Sequence, residues 1–479
     1  FSNQEEFDNF INDRMSTCLF GYNQPLYQFY IVERPDGKLS SLSFIHHSIA
    51  DGWSIVNIYT KQMINVHHHD KNVNTASYSK YLEKLKPISN KTKERAQKYW
   101  KEKLSSYDKT YEVTLKGEEN DFSSKRVIRN LDLELVKAIH ELATGLDVTV
   151  PVVFLAAFIL MQSRQYSESS SAIGMATLGR HKKERDIFGY FIQYLPFITT
   201  VDEECSVEKF IKYISKEQFK FFRNLSYSYE SVMELMEKVT GSKKNLISSN
   251  FSFQNASFDE NMWKVYDDAR WLRSTEQNIP LSFSISSREN EEHYFLEIDY
   301  RLAYYNEEDI NLLIDRYIHI LAQFCKNAEQ SISQVSAIDK EEQATVIYKF
   351  NPTTYEIDES DDVISVFKKS IRENPDKIAV TYQEQEMTFN ELDKLSDDYA
   401  AYLISRNISK GDGIVIYASR SLEMIAAIFG ILKAGAYYIP IDIKAPETRV
   451  NYIIADSNAK LVFISEDLET DFINTQGEI

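Results

Sequence analysis

Two adjacent histidines and a nearby aspartate stand in one short segment, His46-His47-Ser48-Ile49-Ala50-Asp51-Gly52-Trp53-Ser54. A neutral imidazole at His47 can hydrogen-bond to an incoming amine or hydroxyl, or take its proton, which is the chemistry of acyl transfer. Asp51 is expected to fold back and fix the local turn, and Gly52 to let the backbone reverse tightly. We therefore predict an acyl-transfer site; the alternative is a surface histidine pair beside a turn.

Two strands and a helix are predicted to position this segment. Apolar residues over 26–32 and 42–45 flank the turn residues Pro35-Asp36-Gly37, which indicates a hairpin that delivers the histidines at a strand end. Apolar residues then recur at helical spacing from Ile55 to Val66, so Trp53 is expected to open a helix.

The composition is that of a globular protein with room for several domains. The chain has 479 residues, of which 43% are hydrophobic and 26% charged. Its formal charge of −18 argues against a nucleic-acid partner, because phosphates would be repelled. The longest apolar run, Val150–Met161, is too short to span a bilayer and predicts a buried helix, so no membrane partner is expected.

Cysteine usage and the first residues bear on the compartment. Cys18, Cys205 and Cys325 are widely spaced without a CxxC pair, which predicts a cytoplasmic protein without a disulfide framework or zinc site. His67-His68-His69-Asp70 resembles a metal cluster, but consecutive histidines on a helix cannot all face one ion, so we predict a solvated helix end and no metal. The absence of an initial methionine predicts that the chain begins inside a larger protein.

The predicted pattern of strands and helices changes once along the chain. Strands and helices mix without a strict βαβ rhythm up to about residue 336, which favours an α+β class, in two parts at 1–105 and 106–336. An irregular polar stretch over 337–361 predicts a linker. Regular strand–helix alternation over 362–479 predicts a separate α/β domain.

The motifs resemble those of nonribosomal peptide synthetases. The segment 46–54 matches the HHxxxDGWS signature of their condensation domains. Phe188 to Phe197 resembles the later GxFVNTLPL-type segment, with Gln193 where the family has asparagine. Ser226 to Glu230 is a degraded HxDYPFE segment, and Tyr78 to Tyr81 is a faint echo of YxDY.

The C-terminal part resembles the start of an adenylation (AMP-binding) domain. Met387 to Leu392 is similar to the first core motif, LTYxEL, and Leu432 to Asp442 is nearly identical to the second, LKAGxAYxPID. The resemblance covers essentially the whole chain. It implies a chloramphenicol-acetyltransferase-like two-lobed condensation domain whose first lobe is incomplete, followed by a truncated adenylation domain from which no activity is expected.

The resemblance also implies the reaction and the partners. Aminoacyl or peptidyl thioesters arrive on the phosphopantetheine arms of upstream and downstream carrier protein domains, enter a tunnel from opposite faces and are joined by a peptide bond. The condensation domain binds no cofactor directly, and ATP and Mg belong to a complete adenylation domain. The alternatives are a non-catalytic remnant that only binds carrier domains, and a stand-alone acyltransferase that uses a soluble thioester.

Roles for individual residues follow from the same resemblance. His47 takes a proton from the acceptor amine or positions it, while His46 supports the fold and orients its neighbour. Asp51 has a structural role through a buried ion pair with an unassigned arginine, and the Gly52 amide contacts the oxyanion. The expected substrate-channel positions are Trp53, Gly189, Phe191 and Gln193, and core packing is an equal alternative for the segment from Phe188 to Phe197. The pair Arg180-His181 contacts a carrier arm or forms an ordinary exposed loop.

Overall fold

The computed structural model describes residues 1–16, 20–21, 23–67, 76–85, 87–107, 113–241, 246–254, 272, 274–287, 293–353, 358, 361–468 and 471–473. The chain divides into two compact units, residues 1–350 and 351–479.

The first unit opens with helix α1 (Gln4–Ser16) and a two-stranded hairpin. Strands β1 (Tyr27–Glu33) and β2 (Leu39–Ile45) pair antiparallel from Tyr27–Ile45 to Glu33–Leu39, which confirms the predicted hairpin. After the histidine segment, a π-helical turn at Ser54–Tyr59 continues as helix α2 (Thr60–His67). The motif therefore lies between the end of a strand and the start of a helix.

The remaining elements of the first unit form one large sheet and its helices. In chain order they are α3 (Tyr78–Glu83), α4 (Asn90–Ser105), β3 (Ser124–Asn130), α5 (Leu133–Leu146), α6 (Val150–Tyr166), β4 (Ser170–Thr177), β5 (Gln193–Thr200), α7 (Val207–Phe222), α8 (Tyr229–Thr240), β6 (Ser249–Gln254), β7 (Leu281–Ser286), β8 (Phe295–Arg301), α9 (Glu307–Lys326) and α10 (Lys340–Ala344). The strand order is β3-β8-β7-β6-β4-β5, with parallel pairing only at β4–β6 and β6–β7.

Helices cover one face of this sheet and form the main core with it. Phe158 on α6 contacts Phe251 on β6 and Phe283 on β7, with ring centroids 5.4 and 4.9 Å away. All residues of α6 from Val152 to Ser163 are buried, which confirms the buried helix predicted from the apolar run. Because strand side chains alternate between faces, the neighbours of these aromatic residues point to the opposite face, where Asn250 and Ser282 lie side by side.

In the described part of the chain, no single helix has the length and hydropathy of a membrane span. Helices α5 and α6 taken together are long and apolar enough, but their axes are bent by 104° relative to each other.

The second unit has the predicted alternation of strands and helices. Its elements are α11 (Val363–Glu373), β9 (Ile378–Tyr382), β10 (Gln385–Thr388), α12 (Phe389–Ser405), β11 (Gly413–Tyr417), α13 (Leu422–Lys433), β12 (Tyr437–Pro440), α14 (Glu447–Asp456) and β13 (Leu461–Ile464). Strands β12, β11 and β13 form a parallel sheet, and β9 pairs antiparallel with β10. Helix α12 begins where Thr388 and Glu391 cap each other's backbone N–H groups.

Candidate functional site

The imidazole of His47 is fixed by a backbone carbonyl three residues further along the chain. Its Nδ1 lies 2.8 Å from the carbonyl oxygen of Ala50. A carbonyl oxygen only accepts hydrogen bonds, so in the neutral ring Nδ1 carries the proton and Nε2 carries the lone pair. The ring also contacts the edge of Tyr190, with centroids 5.5 Å apart. His47 therefore has the tautomer that a general base acting through Nε2 requires.

His46 has a different set of contacts. Its Nδ1 lies 2.7 Å from the Ser48 hydroxyl and accepts a hydrogen bond from the Ser48 backbone N–H at 3.2 Å. The ring also stands edge-on to Phe20, with centroids 5.5 Å apart. These contacts lie within the turn, and the hydrogen-bond partner of His47 Nδ1 is the carbonyl of Ala50, not the His46 ring.

The buried ion pair expected for Asp51 is made with Arg180, in the loop that follows strand β4. Arg180 Nη2 donates to Asp51 Oδ1 at 2.8 Å and Nε donates to Oδ2 at 3.1 Å. The two side chains are 0% and 1% exposed. This two-point contact fixes both the distance and the orientation of the two groups.

The guanidinium of Arg180 is fully enclosed by its neighbours. Nη1 donates to the carbonyls of Glu184 and Ile187 at 2.8 and 2.6 Å. The ring of Phe191 lies 4.0 Å from the guanidinium carbon. The sequence-based alternatives for Arg180, contact with a carrier arm or a place on an exposed loop, are therefore both wrong for this side chain. The expectation that Asp51 pairs with a buried arginine is the sequence signal that points to the role of Arg180.

Ser54 and Gly189 complete the link between the motif and the segment before β5. The Ser54 hydroxyl donates to the Gly189 carbonyl at 2.8 Å and accepts from the Gly189 N–H at 3.0 Å. Asp51 also accepts from the Ser54 N–H at 2.8 Å and from the Phe191 N–H at 3.1 Å. We call this connected group the clasp; it consists of Asp51, Ser54, Arg180, Gly189 and Phe191.

Two tyrosines of helix α3 pack against the clasp. A Cβ at Gly189 would overlap the Tyr78 ring, so only glycine allows this approach. The Tyr78 hydroxyl donates to the Tyr190 carbonyl at 2.8 Å, and burial raises the pKa of this phenol against the opposing effect of the Arg180 charge. Tyr81 contacts Phe191, with centroids 5.2 Å apart. The faint YxDY echo at 78–81 thus marks residues that belong to the site.

The positions expected to line a substrate channel have different environments. Gly189 is buried and Phe191 is only 9% exposed, because both are enclosed by the clasp and the α3 tyrosines. These contacts are those of the packing alternative, and the channel role of the two residues stays a prediction. Gln193 is exposed at the start of β5. The indole of Trp53 donates to the Arg185 carbonyl at 3.0 Å, and the Arg185 guanidinium lies 5.7 Å from the ring centroid.

Gly52 lies in the first turn of the helical segment and has an ordinary negative φ, so the expected tight reversal is wrong. A Cβ added at Gly52 would meet no atom within 4 Å, so the residue faces open space. Its backbone N–H has no acceptor among the described residues. This N–H is one of the donors that a helix start leaves unpaired, which suits an anionic oxygen.

The described ranges contain no group of three His, Cys, Asp or Glu side chains that could hold a metal ion. His67 ends helix α2, and residues 68–70 of the histidine run lie outside the described residues. Cys18 also lies outside them.

The chain matches two protein families in succession. Residues 2–347 match the condensation domain family, and the chain belongs to it. Residues 367–478 match the AMP-binding enzyme family, in the order that the sequence motifs predicted. The α+β class expected for the first unit is confirmed by its mixed sheet and helices.

Similar curated proteins are large bacterial synthases. Bacitracin synthase 1 of Bacillus licheniformis is 25% identical and is matched over 94% of this chain and 9% of its own length. Gramicidin S synthase 2 of Brevibacillus brevis is 27% identical over 69% of this chain and 8% of its own length. The chain thus spans less than a tenth of either relative.

Solved structures share the fold at low sequence identity. An AMPPNP-bound form of the nonribosomal peptide synthetase FmoA3 has a TM-score of 0.74 at 15% identity, over 100% of this chain and 52% of that one. The condensation domain from the Monacolin K polyketide synthase MokA has a TM-score of 0.56 at 12% identity, over 69% of this chain and 79% of that one.

Proposed function

We propose that this chain forms an amide bond between two carrier-linked thioesters in nonribosomal peptide synthesis. The observation that carries the proposal is the hydrogen bond from His47 Nδ1 to the Ala50 carbonyl, since it leaves the Nε2 lone pair for the reaction. Membership of the condensation domain family and the following AMP-binding segment support the same reaction.

The reaction is a nucleophilic acyl transfer from the donor thioester to the acceptor amine. The acceptor amine attacks the donor thioester carbon, forming a C–N bond and a tetrahedral oxyanion, and the C–S bond then breaks. The proton lost by the amine passes to His47 Nε2 and then to the departing thiolate. The Gly52 N–H is the proposed oxyanion donor. General-base assistance contributes about 10²–10⁴-fold, and positioning of two bound reactants supplies the rest.

The clasp has a positioning role in this scheme. Asp51, Ser54 and Arg180 touch each other and the segment 187–191, and their contacts hold the start of the helix beside the His47 turn. His46 supports the turn, and Trp53 and Gln193 remain proposed channel positions. Arg180 and Asp51 are therefore positioning residues and not catalytic ones.

The partners proposed are carrier protein domains that present substrates on phosphopantetheine. ATP and Mg are proposed only for an adenylation domain of which residues 367–478 form part. A cytoplasmic location is proposed from the cysteine spacing. The division of the first unit at residues 105 and 106, and the linker at 337–361, also remain proposals.

The proposal is tested by mixing the protein with two carrier domains, one loaded with a donor and one with an acceptor aminoacyl group, and by measuring dipeptidyl carrier by mass spectrometry. The expected result is product with the wild-type chain and none above background with His47→Ala. Carrier binding without product in both proteins would favour the binding remnant. Product from a soluble donor thioester but not from the carrier would favour the stand-alone acyltransferase.

A further inference from the structure

The imidazole of His47 is held from two directions although its side chain is exposed. Among the described residues its ring makes one hydrogen bond, from Nδ1 to the Ala50 carbonyl oxygen at 2.8 Å. One hydrogen bond at one corner lets a ring pivot about that contact. The ring of Tyr190 stands at 81° to the imidazole, with centroids 5.5 Å apart, and blocks part of this movement. The direction of Nε2 therefore depends on the position of Tyr190.

The position of Tyr190 depends in turn on its backbone. Its side chain is 38% exposed, so packing around the ring does not fix it alone. The clasp holds the residues on either side, Gly189 and Phe191, through their backbone groups. The carbonyl oxygen of Tyr190 itself accepts a hydrogen bond from Tyr78 Oη at 2.8 Å. Tyr78 thus supplies, from outside the clasp, the hydrogen bond to the residue that touches His47.

Tyr78 has a fixed place from which to donate this hydrogen bond. Its ring stands at 75° to the ring of Phe191, with centroids 5.2 Å apart. The backbone of Gly189 lies against the same ring, since an added Cβ there would overlap it. A parallel β-bridge between Ala76 and Ile187 joins the chain before helix α3 to the chain before Tyr190. The helix and the segment that ends at Phe191 are therefore held together at several points.

From these contacts we infer that Tyr78 and Tyr190 are positioning residues for His47. The Tyr78 hydroxyl fixes the backbone of Tyr190, and the Tyr190 ring keeps the imidazole in the orientation that directs Nε2 at the acceptor amine. A reacting group that is misplaced by about 1 Å can cost about 10²-fold in rate, so contacts of this kind affect turnover without touching the substrate. The inference rests on the proposed function for its effect on the rate, whereas the orientation of the ring is measurable without turnover.

Tyr78→Phe tests the first contact, because it removes the hydroxyl and keeps the ring beside Gly189. With the full chain and two loaded carrier domains, we expect kcat to fall about tenfold and KM for the acceptor carrier to stay within about twofold. The matched control is Tyr30→Phe, which removes a hydrogen bond of 2.6 Å from Tyr30 to Gln28 on strand β1. The control is expected to leave both constants within about twofold. An unchanged kcat in Tyr78→Phe, or an equal loss in the control, would overturn the inference.

Two variants at Tyr190 test the second contact. Tyr190→Leu removes the aromatic ring and is expected to lower kcat about tenfold, and Tyr190→Phe is expected to restore kcat to within about threefold of the wild type. A phenylalanine variant as slow as the leucine variant would assign the effect to the hydroxyl and overturn the role of the ring. The thermal unfolding midpoint is measured for each variant. Losses of kcat that follow a smaller folded fraction would assign both tyrosines to the fold alone and overturn the inference.

The orientation of the His47 ring has a direct spectroscopic readout. Long-range ¹H–¹⁵N NMR of the histidine-labelled chain, at a pH of about 8 where histidine is neutral, distinguishes the two tautomers. The His47 signal is assigned by its absence in His47→Ala. We expect the Nδ1–H tautomer in the wild type and a mixture with the Nε2–H tautomer in Tyr190→Leu and Tyr78→Phe, because a ring released from the Ala50 carbonyl has no preferred proton position there. A wild-type tautomer in both variants would overturn the inference.

The two proposals fail in different ways. A wild-type chain that forms no peptide bond, but whose His47 tautomer changes in Tyr190→Leu, would contradict the proposed function and support the positioning of the ring. Condensation at the wild-type rate by the tyrosine variants, together with its loss in His47→Ala, would overturn the positioning role and leave the role of His47 intact.

Discussion

Arg180 Nη2 lies 2.8 Å from Asp51 Oδ1, across 129 positions of sequence and with both side chains buried. A buried ion pair adds stability only when further hydrogen bonds replace the lost water. Here the carbonyls of Glu184, Ile187 and Gly189 accept the remaining N–H groups of the guanidinium. The histidine segment is therefore joined to a distant part of the chain by a buried and fully hydrogen-bonded ion pair.

Replacing Arg180 by methionine is expected to lower the free energy of unfolding of the first unit by about 3–5 kcal/mol, because Asp51 would stay buried without its counter-charge. Urea unfolding monitors the change. The matched control is Arg129→Met, since Arg129 pairs with Asp315 at 3.0 Å on an exposed surface and its loss costs about 0–1 kcal/mol. Equal effects of the two substitutions would contradict the structural role of the pair.

Gly189→Ala is expected to destabilise the first unit by about 1–3 kcal/mol, because the added Cβ overlaps the Tyr78 ring. Gly145→Ala is a control for which the free energy of unfolding is expected to rise. Gly145 lies within helix α5 and an added Cβ would meet no atom within 4 Å, so alanine there is expected to stabilise by about 0.5–1 kcal/mol. Chemical unfolding of both variants checks the prediction, which is wrong if Gly189→Ala is neutral or stabilising.

Glu217 predicts a pH dependence of stability. Burial raises the pKa of this carboxyl, but hydrogen bonds from Lys103 and Lys220, both at 2.6 Å, outweigh that effect and hold the pKa below its ordinary value of 4.5. The stabilisation is therefore present above pH 4.5 and is lost as the pH falls through the lowered pKa.

Glu217→Gln removes this titration, so the free energy of unfolding of the variant is expected to fall less steeply than that of the wild type below pH 4.5. Urea unfolding at a series of pH values gives the slope of the free energy of unfolding against pH for the wild type and for the variant. Parallel slopes would show that Glu217 does not contribute to acid sensitivity.

Local sequence patterns predicted most elements around the site. Alternating apolar residues predicted the hairpin β1–β2, and an apolar run predicted helix α6, because each pattern reflects burial of one element. The motif at 46–54 identified His47 as the candidate base. These features depend on residues that are neighbours in sequence.

Features that depend on tertiary contacts were missed or wrongly interpreted. Arg180 looked like part of an exposed basic loop, since nothing near it in sequence shows that its partner is Asp51. For Phe191 the sequence left a channel role and core packing open, because its contacts with Arg180 and the α3 tyrosines come from distant parts of the chain. Gly52 was expected to allow a tight reversal, yet it lies in the first turn of the helical segment.

The role of His47 is tested most directly by the rate of peptide bond formation in His47→Asn. The asparagine amide retains an N–H donor for the Ala50 carbonyl and lacks an equivalent of Nε2. With loaded carrier domains and an unchanged free energy of unfolding, we expect the rate to fall about 10²–10⁴-fold. A rate within about threefold of the wild type would contradict the role of His47 as the group that receives the proton.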